Sequence, residues 1–214
     1  MAKSKIQSKI GENIRLARQK MELTQNVVAK KADVSVNYYA RIERGEVNPS
    51  IETINDLNLK KALNRAAKDA PSYFWEVAAS SSGKFHPQCS LGECGLVRHS
   101  LLVVKIGLDL LSAEIYVKNT ETNRDLLIAS ALFHDIKKQG DGSGTSTVFD
   151  HPNQSESFLR HYLEEAEVLS EHVETICNSI KAHMGKWNKA NYAPGIYLKK
   201  PKTDFDKLLH TADY

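Results

Sequence analysis

The segment 124–138, RDLLIASALFHDIKK, constrains this chain more than any other. Leu126, Leu127, Ala129, Leu132 and Phe133 recur at the steps of a buried or half-buried helix. That helix runs into adjacent His134 and Asp135, followed by two lysines. Neither polar group gives up water inside an apolar setting without a partner. A divalent metal is one such partner, because imidazole offers a neutral nitrogen and a carboxylate can bridge two ions. The other is a histidine satisfied in the core beside a helix-end aspartate. The pair alone does not choose between them.

A chain of 214 residues has room for one large domain or two smaller ones. It has no run of 18 or more apolar residues, and MAKSKIQSK lacks the apolar core of a signal peptide, so no membrane span and a cytoplasmic location are expected. Cys89, Cys94 and Cys177 are odd in number and lack CxxC spacing, which fits reduced thiols better than a disulfide framework. Charge is unevenly placed. Residues 1–60 carry 11 Lys and Arg against 7 Asp and Glu, the remainder 18 against 19, and all eight histidines lie at or beyond position 86. A small basic module joined to a near-neutral, histidine-rich one is the pattern of a nucleic-acid binder attached to a metal-binding domain.

The first module reads as short helices with tight turns. Ile10, Ile14, Leu16 and Ala17 form the inner stripe of a helix ending near Lys20. Thr24 caps a helix over 25–31, Ser35 caps one over 36–44, Gly45 stops it, and Pro49 and Ser50 open another. The stretch IGENIRLARQKMELTQNVVAKKADVSVNYYARIERGEVNPSIETI closely resembles the lambda-repressor-like (Xre-type) helix-turn-helix family. It carries that family's IGxNIR, LTQ, VS, RIERG and NPS landmarks in order, with Ala17 where the fuller IGxNIRxLR pattern has Leu, and departs from it at Asp33, where the turn usually has Gly. The resemblance implies that Gln25, Val36, Asn37, Tyr38, Arg41 and Arg44 face DNA. Asn37 would read a base edge, and Arg41 or Arg44 a phosphate or guanine. Tyr39 and Ile42 would pack inward. One such unit contacts few phosphates, so a homodimer on a two-fold operator is expected. A helical protein-interaction module is the alternative.

Residues 61–84 read as a linker or helical lead-in, interrupted by Pro71 and ending in the flexible composition Ser80-Ser81-Ser82-Gly83. The expected domains are therefore 1–60, a lead-in over 61–84, and 85–214. The last is all-α on its pattern, with helices over 95–113, 124–138, 153–165, 170–184 and from 206 onward, and a polar Gly/Ser-rich loop over 139–147.

Collected in order, the candidate metal ligands are His99, His134, Asp135, His151, His183 and Asp213. Together they resemble the H…HD…D signature of the HD-domain phosphohydrolase superfamily. The resemblance implies that His99, the His134-Asp135 pair and Asp213 in HTADY hold one metal. His151 and His183 sit where two-metal members carry two extra histidines, which implies a dinuclear site bridged by Asp135. Mixed imidazole and carboxylate ligation suits Fe, Mn, Co, Ni or Zn. Such a site performs metal-dependent hydrolysis of a nucleotide-type phosphoester, as a phosphodiesterase or phosphatase.

Lys138 matches the lysine that follows the HD pair in many members, and either binds phosphate or steadies the transition state from a helix end pointing into the site, or is a solvated helix-end residue. Lys84, His86 and Arg98 flank the first ligand and are candidate substrate-phosphate contacts, with His86 alternatively bracing the loop. His161 and His172 read as surface residues, and His210, one turn before Asp213, as a support rather than a ligand. Asp213 is the penultimate residue, and a terminal turn frays unless tied down. The leading expectation is a phosphohydrolase coupled to a DNA-binding domain. The alternative is a transcriptional regulator whose HD domain senses a nucleotide without turnover.

Overall fold

The computed structural model describes residues 5–20, 22–31, 35–46, 49–80, 90–142, 144–190 and 192–214. Every regular element among them is helical. Two compact units divide the chain between Glu52 and Thr53. None of the described helices is long and apolar enough to cross a membrane.

The first unit contains α1 (Lys5–Lys20), α2 (Gln25–Lys31), α3 (Val36–Glu43) and α4 (Pro49–Glu52), with α1 and α2 both packed on α3. Side-chain oxygens cap two starts: Thr24 accepts from the Val27 amide at 3.3 Å and Ser35 from the Tyr38 amide at 3.1 Å. The core gathers Ala29, Tyr39, Ile42 and Ile51. One expectation fails on α1. Leu16 is 51% exposed, while the side chains of Ile10 and Ala17 lie outside the described residues. The stripe facing α3 is set instead by Gly11, Ile14 and Arg18, at helical steps of three and four. A Cβ at Gly11 would sit 2.5 Å from the Ile42 carbonyl oxygen, so the backbones meet too closely for a side chain there. Arg18 then reaches Glu43, which is buried. Its Nη2 donates to Oε2 at 3.0 Å and its Nε to Oε1, while Gln25 Nε2 donates to Oε2 at 2.7 Å.

The second unit holds α5 (Leu57–Lys68), α6 (Ser72–Glu76), α7 (Gly95–Ser112), α8 (Glu121–Phe133), α9 (His151–Glu165), α10 (Ser170–Ala182) and α11 (Asp204–Asp213). Its centre is α8, buried on all sides from Asp125 to Phe133, with α5, α7, α10 and α11 against it. A helix with no solvent face is a core helix. The part of 61–84 read as a lead-in begins inside α5, whose buried Leu59, Ala62, Leu63 and Ala66 form a stripe onto α9. Tyr162 Oη donates to Asp69 at 2.9 Å and Arg65 pairs with Glu165 at 2.8 Å beside that contact. The start of α5 is held from α8: Asp125 Oδ2 accepts the Asn55 and Asp56 amides, each at 2.9 Å.

The helix expected over 124–138 stops five residues early. His134 is its C-cap, and hydrogen-bonded turns from Phe133 to Gly140 follow. Lys138 therefore lies on a turn, not at a helix end. Asp125 matters to that central helix: Asp125→Ala would leave two amides at the α5 start without their carboxylate and is expected to lower stability by about 2 kcal/mol, with Asp125→Asn losing less, read by denaturant midpoint.

Glu43 makes a prediction about acid. The Arg18 guanidinium holds its carboxyl down at about 2, against the opposing effect of burial and with help from Gln25. A depressed folded-state pKa gives stability that is present above the ordinary value of 4.5 and is lost as pH falls toward 2. Amide signals of residues 5–52 should thus report unfolding of the first unit across that window, and Glu43→Gln should be less stable above it and flatter within it.

Candidate functional site

Six side chains named from the sequence converge inside the second unit. His99 comes from the first turns of α7, His134 and Asp135 from the end of α8, His151 from the start of α9, His183 from the C-cap of α10 and Asp213 from the last position of α11. Four helix ends and one helix interior meet there, which is why their sequence separation conceals their proximity. The four histidines and Asp135 are buried, and Asp213 is partly exposed.

The geometry divides around Asp135. On one side His99 Nε2 lies 2.9 Å from Asp213 Oδ1 and 3.7 Å from Asp135 Oδ2, and His134 Nε2 lies 3.3 Å and 3.5 Å from the same two oxygens. On the other, Asp135 Oδ1 is 3.0 Å from His151 Nε2 and 3.6 Å from His183 Nε2. One carboxylate thus faces two clusters with one oxygen each.

Backbone carbonyls decide what the imidazoles present. Nδ1 of His134, His151 and His183 lies 2.7–2.8 Å from the carbonyl of Ala131, Val148 and Ile180 respectively. A carbonyl only accepts, so each Nδ1 carries the proton and each Nε2 of the neutral ring is a bare lone pair. His151 and His183 nonetheless bring their Nε2 atoms to 3.2 Å of one another. Lone pairs at that separation repel unless a cation lies between them. Asp135 Oδ1 has no donor within this arrangement although it is buried. Converging lone pairs, an orphaned carboxylate oxygen and ring nitrogens anchored by carbonyls are the donor set of a divalent metal site, so the residues fit one. His99, His134 and Asp213, and His134, Asp135 and His183, form groups close enough to share an ion.

Charge points the same way. Burial opposes a proton on His134, but Asp135 and Asp213 outweigh it and push the ring up to about 10. Asp135 is held well below the carboxylate range, burial being overcome by Lys138 and His134, and Asp213 likewise by His134 and His99. The field that attracts that proton attracts a metal cation, and binding one releases it. Burial lowers His151, which keeps its nitrogen available.

Lys138 is buried and spends its charge on the shared carboxylate, its Nζ donating to Asp135 Oδ2. The expectation of a helix-end lysine open to phosphate is corrected by the turn that carries it back to Asp135. Arg98 is exposed on α7, its Nη2 donating to the Leu91 carbonyl at 2.8 Å. Lys84, His86 and Cys89 lie outside the described residues. Cys94 and Cys177 are free and buried, and burial pushes the Cys177 thiol up to about 12. His161 is exposed, whereas His172 is half-buried: its Nδ1 is buried 3.8 Å from Asp56, and the residue lines a small cavity together with Asp125.

The hydrogen bond that His210 makes is not to Asp213. Its Nδ1 donates to the carbonyl of His183 at 2.7 Å, tying α11 to the turn after α10. A capping box of Thr203 and Asp206 fixes the other end of α11, and Lys186 Nζ donates to Tyr214 Oη at 3.1 Å. The final turn is therefore held from within the unit. Sequence reading missed the His210 contact and the Arg18–Glu43–Gln25 cluster; Gly185, two residues after His183, was the available signal for the first.

In the first unit Val36, Asn37, Arg41 and Arg44 are exposed on or just after α3, Tyr38 is half-buried, and Tyr39 and Ile42 are buried. Arg44 forms a two-pronged pair with Glu46, at 2.7 and 3.0 Å, which a phosphate would have to replace. Gln25 is engaged by Glu43 rather than pointing freely outward. Asp33 lies outside the described residues.

Gly185 tests the α10–α11 tie. It adopts φ +55, and a Cβ there would lie 2.1 Å from His210 Cε1. Gly185→Ala is expected to cost about 1–2 kcal/mol in backbone strain alone. It should also displace His210, weakening metal uptake by about 10–100-fold as loss of a supporting partner does, read by metal content after dialysis.

Neither characterised proteins nor solved structures yield a match to this chain. Two family models do: a helix-turn-helix over residues 14–58 and an HD domain over residues 96–214. The latter spans more than half of the chain and contains all six converging side chains. The chain belongs to the HD-domain family, of the metal-dependent phosphohydrolase superfamily, and carries an Xre-type helix-turn-helix DNA-binding domain ahead of it.

Proposed function

We propose that the second unit is a phosphohydrolase with two divalent metals, acting on a nucleotide-type phosphoester, and that the first unit directs it to DNA. The carrying observation is the division of Asp135 between two histidine clusters, with Oδ1 otherwise unpartnered. His99, His134, Asp213 and Asp135 Oδ2 would hold one ion, and His151, His183 and Asp135 Oδ1 the other. Fe, Mn, Co, Ni and Zn all suit this mixture. Bound there, two such ions supply Lewis acidity toward a phosphoryl group and make water a nucleophile at neutral pH.

The protein's own residues do the rest. The carbonyls of Ala131, Val148 and Ile180 aim three imidazoles and fix their tautomer. Lys138 keeps Asp135 ionised and oriented by donating to Oδ2, the oxygen that also faces His99 and His134, and acts through that carboxylate. Arg98, exposed and next to His99 in sequence, is a candidate contact for a substrate phosphate, with Lys84 and His86 as further candidates from the sequence.

The exposed residues Val36, Asn37, Arg41 and Arg44 support DNA contact by α3, with Tyr38 at its edge and Gln25 bracing it through Glu43. A homodimer would double the phosphate contacts of this small unit. Access to DNA and the free Cys94 and Cys177 support a cytoplasmic location. The second reading, a nucleotide sensor without turnover, draws on the same intact DNA-binding unit.

Metal analysis followed by product release from mononucleotides, cyclic dinucleotides and oligonucleotides separates the readings. Wild type is expected to hold about two ions per chain and release product. Asp135→Asn should lose both ions and lower the rate by on the order of 10²–10³-fold. Metal-loaded protein that binds nucleotide but releases nothing would favour the sensor, and no metal uptake at all would end the hydrolase reading.

A further inference from the structure

Residues 186–202, KWNKANYAPGIYLKKPK, contain five lysines, three large aromatic rings and no acidic residue. In a unit whose net charge is near zero, such a segment is a concentrated positive strip. The rings are not spent on the core: Trp187 is 51% exposed, Tyr192 78% and Tyr197 68%. Yet the loop is anchored. Asn188 and Leu198 are buried and pair with each other, the Leu198 amide donating to the Asn188 carbonyl at 3.0 Å and Asn188 Nδ2 to the Leu198 carbonyl at 3.4 Å. Lys199 Nζ bridges to Asp206 at 3.3 Å and donates to the Asn178 carbonyl. Lys186, Lys189, Lys200 and Lys202 remain exposed.

The loop adjoins the metal-type centre at its start and at its middle. Lys186 follows His183 by three residues, and its Nζ reaches the hydroxyl of Tyr214, the neighbour of Asp213. The ring of Tyr192 packs edge-on against Phe149, two residues before His151, with centroids 5.9 Å apart. Lysines lie over three rings, Lys186 over Trp187 and Tyr214 and Lys189 over Tyr197, at 4.9–5.2 Å. Each such contact uses one face of a ring and keeps a cation beside it, leaving more than half of each exposed ring's surface to solvent.

We infer that this loop is a stacking platform for single-stranded nucleic acid, and that the phosphoester presented to the centre belongs to a strand rather than to a free nucleotide. The inference rests on the hydrolase reading for what happens to the strand, but the platform itself stands on the loop. Bases stack on aromatic faces without regard to sequence, and lysines track the phosphates between them. One mononucleotide would engage one ring; rings spaced along ten residues, with lysines interleaved, serve several successive nucleotides. A duplex keeps its bases stacked on each other and could use only the lysines. Tyr, Trp and Lys also suit an anionic membrane surface. The position of this loop, at the rim of a phosphoester-type centre, favours the strand.

The test uses the full chain and fluorescent 12-residue oligonucleotides, ribo and deoxy, with chelator present to prevent cleavage. Anisotropy should show binding that persists in excess duplex of the same sequence, which occupies the N-terminal unit, and that weakens with salt. The Trp187→Ala, Tyr197→Ala double variant should bind tenfold or more weakly. The Trp187→Phe, Tyr197→Phe pair should retain binding, and an unchanged thermal melt shows that the fold is intact. The ribo and deoxy arms identify which strand is preferred. With metal restored, KM should fall as oligonucleotides lengthen, and the alanine pair should flatten that trend. Hydrolysis of a small aryl phosphodiester without strand binding would overturn the platform and leave the hydrolase standing. Strand binding without hydrolysis of either substrate would leave the platform standing and remove the hydrolase. Equal strand binding by the alanine pair, or binding to anionic vesicles in preference to oligonucleotides, would overturn the inference.

Discussion

The second unit depends on one carboxylate that faces two ways. Asp135 is buried, ionised by its neighbours, and divided between two pairs of imidazoles, three of which commit a proton to a backbone carbonyl. An arrangement of facing lone pairs is unfavourable by itself, so the helices that impose it must be held together by other means. The buried stretch Asp125–Phe133 of α8, the α7 and α10 helices against it, and the closure by α11 supply that restraint. Apolar burial fixes the positions, and the polar centre uses the rigidity.

Closure by α11 joins packing to chemistry. Asp213 stands on the last helical position, where carbonyls are unsatisfied and turns fray. Here the capping box at Thr203, the His210 hydrogen bond to the His183 carbonyl and the Lys186–Tyr214 contact hold both ends of that helix. Gly185 makes the tie possible, because only a residue without Cβ leaves space for the His210 ring. The same turn opens into the lysine-rich loop, so the element that secures the centre is continuous with that exposed basic and aromatic surface.

The first unit solves a smaller problem. Fifty-two residues bury little apolar area, and a pair formed by half-buried Arg18 with buried Glu43, with Gln25 attached, locks α1 and α2 onto α3. Such a pair is destabilising if either partner is lost, and it specifies one register of the helices. The exposed side of α3 is then left for a ligand. Gln25 illustrates how a residue assigned to DNA by resemblance also has a structural partner inside the unit.

Helix existence was legible along the sequence wherever apolar periodicity ran long, and boundaries were legible at the caps Thr24 and Ser35, whereas the last helix, expected from 206, starts at Asp204 behind the Thr203 cap. Boundaries set by tertiary contact were not. The period of 124–133 carries on into Ile136, yet α8 stops at Phe133 because His134 and Asp135 turn toward groups from α7, α9 and α10. Leu16 looks like core on a helical wheel, but Gly11 and Arg18 decide which face of α1 is inside. His172 looks like a surface residue until α5 and α8 are placed beside it. By itself the sequence determined an all-α chain of two modules and named six side chains with the chemistry to hold metal, because periodicity and residue type are local properties. Only the tertiary structure decided that Asp135 divides its oxygens, that Lys138 serves that carboxylate rather than solvent, and that His210 anchors the closing helix, because those roles depend on distances between atoms far apart along the chain.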